Sequence, residues 1–290
     1  MDWKKLVLSM SCGVTAVATS PSAAQDGGLV LEPTSEWTLE ALEDSCAVRR
    51  EFSSSQASVT LEMRQFDLTR GVQFILYGNG LDEGLTRATY RVHAEEQRRE
   101  AMPLFDFETI DGRIGVGFFS EHGVSGFNGR HIDATIDQGY EAGVEDLTFY
   151  RAFRQQISLQ TGPLHEVSAE MRACVERAMV NWNIDAESHR LLAQATRPNK
   201  IGGWVEDEIS GTWPRWAFRT RPRAFLHARM IVSEDGEPLS CEIVHAIGSD
   251  ELHSWACERL MEEARFHPAL GAEGQPIRSF WTTSLVYRLD

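Results

Sequence analysis

Lysine is almost absent from this sequence of 290 residues. Lys4, Lys5 and Lys200 are the only three, and arginine supplies the rest of 28 basic residues, set against 43 acidic ones. The formal charge of −15 argues against nucleic acid as the main partner, because phosphates need clustered Lys and Arg. It argues equally against an anionic membrane surface. Long apolar runs are also missing: no segment reaches the roughly 20 apolar residues of a helical membrane span. There is no internal repeat, no low-complexity stretch and no long Pro-rich spacer. None of the five cysteines sits in a CxxC pair, so zinc and thioredoxin-type chemistry lack their usual spacing. What remains is an ordinary folded composition, 42 % apolar and 24 % charged. The length allows two domains of about 100–150 residues, each able to bury a core.

Residues 1–24 have the layout of a secretory signal. Lys4 and Lys5 form a short basic start, Leu6 to Val17 a modestly apolar stretch, and Ser22, Ala23 and Ala24 the small residues that precede cleavage. The expected mature chain starts near Gln25; an uncleaved signal would instead anchor it in the inner membrane. Cys12 leaves with the signal, and Cys46, Cys174, Cys241 and Cys257 remain, an even number suited to an oxidising compartment. Their distribution suggests one bridge per domain, Cys46–Cys174 and Cys241–Cys257, the alternative being buried free thiols.

From Cys46 to about Phe153 the pattern is mostly strand, with β-branched and aromatic runs separated by Gly, Asn and Asp. ISLQTGP adds a short strand that ends at Gly162-Pro163. The period then changes. Val167, Met171, Cys174, Ala178 and Trp182 recur every three or four residues, which predicts an amphipathic helix from about residue 164 to 183. Cys174 lies on its apolar stripe and can reach a sheet beneath, which is the physical case for pairing it with Cys46. Residues 26–185 therefore read as an antiparallel β-rich domain with a helix packed on it, and 186–212, centred on Pro198, Gly202 and Gly203, as a linker.

Residues 213–290 carry the strongest pattern. Ala224 to Val232 reads as a strand with Leu226, Ala228, Met230 and Val232 on one face. Asp235-Gly236 makes a hairpin turn, and Cys241 to Ile247 is the returning strand. A helix starts at Gly248-Ser249-Asp250, with Leu252, Trp255, Ala256, Leu260 and Ala264 as its apolar stripe. Ser279 to Leu289 is the last strand, in which Trp281, Leu285, Tyr287 and Leu289 alternate with more polar residues. The expected fold is α+β, with one helix over a three-stranded antiparallel sheet after the β-rich first domain.

This segment resembles the C-terminal domain of the TonB family of periplasmic energy transducers. Trp213-Pro214 stands for the usual Tyr-Pro. The Asp235-Gly236 turn, Ile247-Gly248-Ser249 with Leu252 and Ala256, Phe266-His267-Pro268-Ala269 and Gly274-Gln275-Pro276 follow in the family's order. The resemblance covers residues 213–290 only. It implies a periplasmic address in a Gram-negative envelope and a partner-binding module, with the TonB box of an outer-membrane transporter as the implied peptide. The family's membrane helix and Pro-rich spacer have no counterpart here, so energy transduction does not carry over. Binding would proceed by strand addition beside the last strand, with Phe280, Trp281, Thr283, Leu285 and Tyr287 as candidate contacts. No cofactor and no catalytic residue is implied.

Other candidate chemistry is weaker. Gly112, Gly115 and Gly117 have no helix directly behind them, so a phosphate loop lacks its anion site. His131 and Asp133 share a strand face without a third metal ligand nearby. Glu95, Glu96, Arg98, Arg99 and Glu100 read as a solvated charged face. Ser120, Ser125 and Thr161 lack a nucleophile elbow, and His122 and His165 stand alone. His227 and His245 fall on opposing strands of the last hairpin, either as a pH-sensitive pair or as simple packing, the second being favoured. Two other functional classes remain as alternatives: a periplasmic enzyme with its site in the Gly-rich loop His122 to His131, and a structural protein that dimerises through the last edge strand.

Overall fold

The computed structural model describes residues 28–69, 71–82, 84–125, 134–199, 214–220 and 224–287. The signal-like segment 1–24, His131 and Asp133, most of the Gly-rich loop, residues 200–213 and Leu289 lie outside the described residues. No described helix is long and apolar enough to cross a membrane.

In chain order the first part contains β1 (Leu29–Pro33), β2 (Thr38–Ala41), β3 (Cys46–Ser53), β4 (Ser58–Gln65), β5 (Val72–Asn79), β6 (Arg87–Arg91), β7 (Arg99–Pro103), β8 (Phe105–Glu108) and β9 (Ile114–Ser120). Helix α1 (Ala134–Ala142), β10 (Leu147–Tyr150), β11 (Ile157–Leu159) and α2 (His165–Ala178) follow, and α2 continues as a 3-10 turn over Met179–Trp182. After α3 (Ala186–Arg190) and β12 (Arg197–Pro198) come α4 (Ala217–Thr220), β13 (Ala224–Val232), β14 (Pro238–Gly248) and α5 (Asp250–Glu263). The chain closes with β15 (Phe266–His267), β16 (Ala269–Leu270), β17 (Pro276–Ile277) and β18 (Ser279–Tyr287).

Strands β1 to β11 form one large sheet in the order β7-β6-β10-β11-β1-β3-β4-β5-β9-β8, with β2 on the side of β3. The sheet curls until β7 returns against β9. Its inside is aromatic. Phe74 sits 5.0 Å from Tyr90, 5.4 Å from Phe118 and 5.7 Å from Phe149 between ring centres. Tyr90, fully buried, donates its hydroxyl to the Gly123 carbonyl at 2.5 Å. The sheet is not wholly antiparallel as the sequence suggests. β1 runs parallel to β11, with Leu29 opposite Ile157 and Leu31 opposite Leu159. These strands stand at the two ends of a long segment, so no tight turn dictates their direction.

Helix α2 lays Val167, Met171, Cys174 and Val175 on the same core. Cys174 joins Cys46 with the Cα atoms 6.1 Å apart, and Cys241 joins Cys257 at 5.6 Å. Both expected bridges are therefore present. The second ties the middle of β14, not its start, to α5.

The last part has its own core of Leu226, Ala228, Met230, Val232, Leu252, Ala256, Leu260 and Leu285. Its three-stranded sheet has the order β14-β13-β18, antiparallel throughout, with α5 against β14 and β13. Gly236 in the β13–β14 turn has φ 83°, and a Cβ there would meet the Phe266 carbonyl at 2.1 Å. Glycine thus lets this hairpin turn dock on β15. Part of the stretch read as a linker is structured: β12 pairs with β15, and Gln194 bridges Leu270.

Candidate functional site

β18 lies at one end of the last sheet. Ser279 to Tyr287 pair with Val232 to Ala224 on one side. Among the described residues no strand pairs with the other side. Alternation gives the strand two packed faces. Trp281, Thr283, Leu285 and Tyr287 point toward α5, where Trp281 meets Phe266 at 5.3 Å and Tyr287 meets Trp255 at 6.0 Å. Leu285 and Tyr287 are 0 % and 1 % exposed, and burial raises the Tyr287 phenol well above its ordinary pKa. A partner at this edge therefore reaches Leu285 and Tyr287 through their backbone only. Thr283 remains partly accessible.

Phe280 belongs to the opposite face and is committed inside the chain. It stacks on His189 at 5.6 Å and meets Trp182 edge-on at 5.8 Å. His189 Nε2 bonds the Ser279 hydroxyl at 2.8 Å, and burial holds its pKa below the ordinary histidine value. Further along, Thr282 donates its hydroxyl to Asp67 and Ser284 bonds His227 Nδ1 at 2.8 Å.

These contacts belong to a seam that the sequence does not advertise. The face of β13 opposite α5 holds Phe225, His227, Arg229 and Ile231, all 7 % exposed or less. It packs on the first sheet at β8, at β9 and just after β4. Phe105 stacks on Phe225 at 4.5 Å, and Phe66 stacks on His227 at 4.1 Å. Arg229 donates to Asp44 at 2.5 Å and to Glu242 at 2.7 Å. Gly115 and Gly117 find their role here. A Cβ on either would lie 2.3 Å or 2.1 Å from the rings of Phe107 and Phe105, which fold across β9. They make room for aromatic rings rather than for a phosphate.

In the charged run that leads into β7, Glu95, Arg98 and Glu100 are exposed as expected and Glu96 is half-buried, but Arg99 turns inward. Arg99 is 2 % exposed. It donates to the carbonyls of Gly123 at 3.0 Å and Ser125 at 2.9 Å, to Glu96 at 3.1 Å, and to the Tyr140 hydroxyl. Burial and the bond to Glu96 raise the Tyr140 phenol far above its ordinary value. The guanidinium thus pins the start of the Gly-rich loop. Nearby, fully buried Glu141 receives Arg172 at 2.7 Å and 3.0 Å and the Ser125 hydroxyl at 3.1 Å. Ser120 is bonded to Tyr90 at 2.7 Å. These groups are satisfied by one another and fix the loop's base. Among the described residues no three His, Cys, Asp or Glu side chains gather as a metal site.

No protein-family model matches the chain, and no curated protein matches it. The molecule itself defines an α+β chain with a large curled sheet, a smaller three-stranded sheet whose outer strands β14 and β18 each have one edge without a partner among the described residues, and two disulfides compatible with an exported protein.

Proposed function

We propose that this chain is an exported, TonB-like envelope protein whose last sheet captures an extended peptide by strand addition along β18, in or near TonB-dependent transport. One observation carries the reading: β18 pairs with β13 on one side and with no described strand on the other. A free edge offers backbone donors and acceptors that a partner strand can satisfy. The order of hairpin, helix and last strand in residues 224–287, and the sequence signs that resemble the TonB C-terminal domain, support the identification of the module. The buried side chains of Leu285 and Tyr287 make the recognition chiefly a main-chain one, with Phe280, Trp281 and Thr283 the half-buried side chains of the predicted set. The first sheet serves as a rigid support that grips the opposite face of the module.

The test is titration calorimetry of the mature protein against synthetic peptides with the TonB-box sequences of the same organism's outer-membrane transporters. Saturable binding of one peptide per chain is expected. Absence of binding to every such peptide, by a protein that is folded and monomeric, overturns the reading. Formation of a symmetric dimer through β18 would assign the edge to self-association instead.

A further inference from the structure

We infer that the seam between the two cores is an acid-opened latch, closed only while His227 and His245 are both uncharged. The inference stands whether or not β18 captures a peptide.

The two histidines are cross-strand partners on β13 and β14. His227 is 1 % exposed, its ring stacked on Phe66 and 5.2 Å from Phe119 of the first sheet. Phe66 also lies 6.0 Å from His245. His245 Nδ1 is 2.8 Å from Arg64 Nη1. A guanidinium only donates, so this ring nitrogen must accept, and His245 is held neutral with its proton on Nε2. Both Nε2 atoms are buried without a hydrogen-bond partner. So are both amide atoms of Gln73, which is 0 % exposed and stands between Arg64 and Phe119 in the strand register. Beside its paired groups the seam thus holds four polar atoms, the two histidine Nε2 atoms and the Gln73 amide nitrogen and oxygen, that have no hydrogen-bond partner while it is closed and gain water when it opens.

The charged groups around the pair leave no carboxylate for it. From β4, Arg64 and Glu62 bind each other at 2.6 Å. Asp67, just after β4, takes the Thr282 hydroxyl and the Thr69 amide. Arg229 on β13 is held by Asp44 and by Glu242 of β14. A proton on His245 would face the Arg64 guanidinium directly, and one on His227 would face His245 and Arg229. Burial first, then the neighbouring His245 ring and the Arg229 guanidinium, hold the closed-state value of His227 down to about 3, and burial and Arg64 hold that of His245 down to about 4, Glu62 opposing the second shift.

The sign follows from linkage. Both closed-state values lie below the ordinary 6.5, so the neutral pair favours closure above pH 6.5 and loses that advantage as pH falls. Opening takes up two protons, and its equilibrium constant rises by up to about 100-fold per pH unit between pH 6.5 and pH 4. Each side has a core and a disulfide of its own, and Ile231 and Phe280 of the last sheet, which pack on the first core, are uncovered on opening. In the proposed opening the sheets separate with both folds retained.

The experiment is small-angle scattering with far-ultraviolet circular dichroism on the mature chain from pH 7.5 to pH 4, for wild type and for the His227→Gln/His245→Gln double variant. The wild type is expected to expand as pH falls while its dichroism stays constant. The double variant, which retains Asp44, Glu62, Asp67 and Glu242, is expected to stay compact at least one pH unit lower. Should that variant not fold, ring-proton NMR of the wild type decides: both rings must stay in the neutral form below pH 6 until expansion begins. A radius unchanged down to pH 4, opening of wild type and double variant at the same pH, or ordinary titration of both rings near pH 6.5 in the compact state overturns the inference.

Discussion

Arg229 Cζ lies 3.8 Å from the centre of the Trp182 ring, joining the last sheet to the 3-10 turn that ends α2. The same guanidinium, 2 % exposed, bridges Asp44 and Glu242. Arg229→Ala removes the stack and leaves two carboxylates facing each other. The expected loss is about 2–3 kcal/mol, discounted because both acids retain some water contact. Arg229→Lys keeps the charge but not the flat stack, and should recover only part of it. Urea unfolding of the three proteins measures the difference.

The two disulfides close loops of very different length, 128 and 16 residues apart in sequence. In the chain-entropy model they constrain the unfolded chain by about 5 and about 3 kcal/mol respectively. Replacing Cys46 and Cys174 together by Ala should therefore lower the unfolding midpoint more than replacing Cys241 and Cys257. Equal losses would show that the shorter bridge does more than close a loop.

Gly117 is expected to tolerate no side chain while Phe105 lies across it. Gly117→Ala should cost about 1–3 kcal/mol by overpacking, because the ring it displaces is itself stacked on Phe225. In a Phe105→Ala background the same change should be nearly neutral. A double-mutant cycle by thermal unfolding reads this coupling; an unchanged cost in both backgrounds would place the strain elsewhere.

The C-terminal hairpin, helix and last strand were legible in the sequence, because each has a period, a turn or a stop of its own: Leu226 to Val232 alternate, Asp235-Gly236 turns, and Leu252 to Leu260 repeat at helical spacing. Both cysteine pairs were suggested by their distribution, one per domain, and the first also by the place of Cys174 on the apolar stripe of its helix. The seam was not legible. Phe225, His227, Arg229 and Ile231 are half apolar and half polar, so they read as the outer face of a half-buried strand. Their burial comes from a second sheet distant in the chain, which no local pattern encodes. Arg99 was missed for the same reason, since carbonyls of the later Gly-rich loop make it a buried residue. β1 was missed because its few apolar residues gain their partner, β11, only after the whole sheet has formed.

Thr282 and Thr283 are neighbours on β18, so their backbone amides point to opposite sides of the strand. Proline at one of them removes a ladder bond to β13, and proline at the other removes an outward donor. Of Thr282→Pro and Thr283→Pro, one should unfold the last sheet while the other keeps the fold and loses peptide binding. Circular dichroism and peptide titration on both variants separate the two effects. Unfolding in both cases would mean that the second edge of β18 is occupied.

Strand addition at β18 is tested most directly by amide hydrogen exchange, residue by residue over 279–287, in the mature protein with and without a TonB-box peptide. The account predicts that alternate amides of this strand exchange freely in the unbound protein and become protected when peptide is added, while those bonded to β13 are protected throughout. Protection of every amide from 279 to 287 in the unbound monomer, or no change on adding any such peptide, would contradict it.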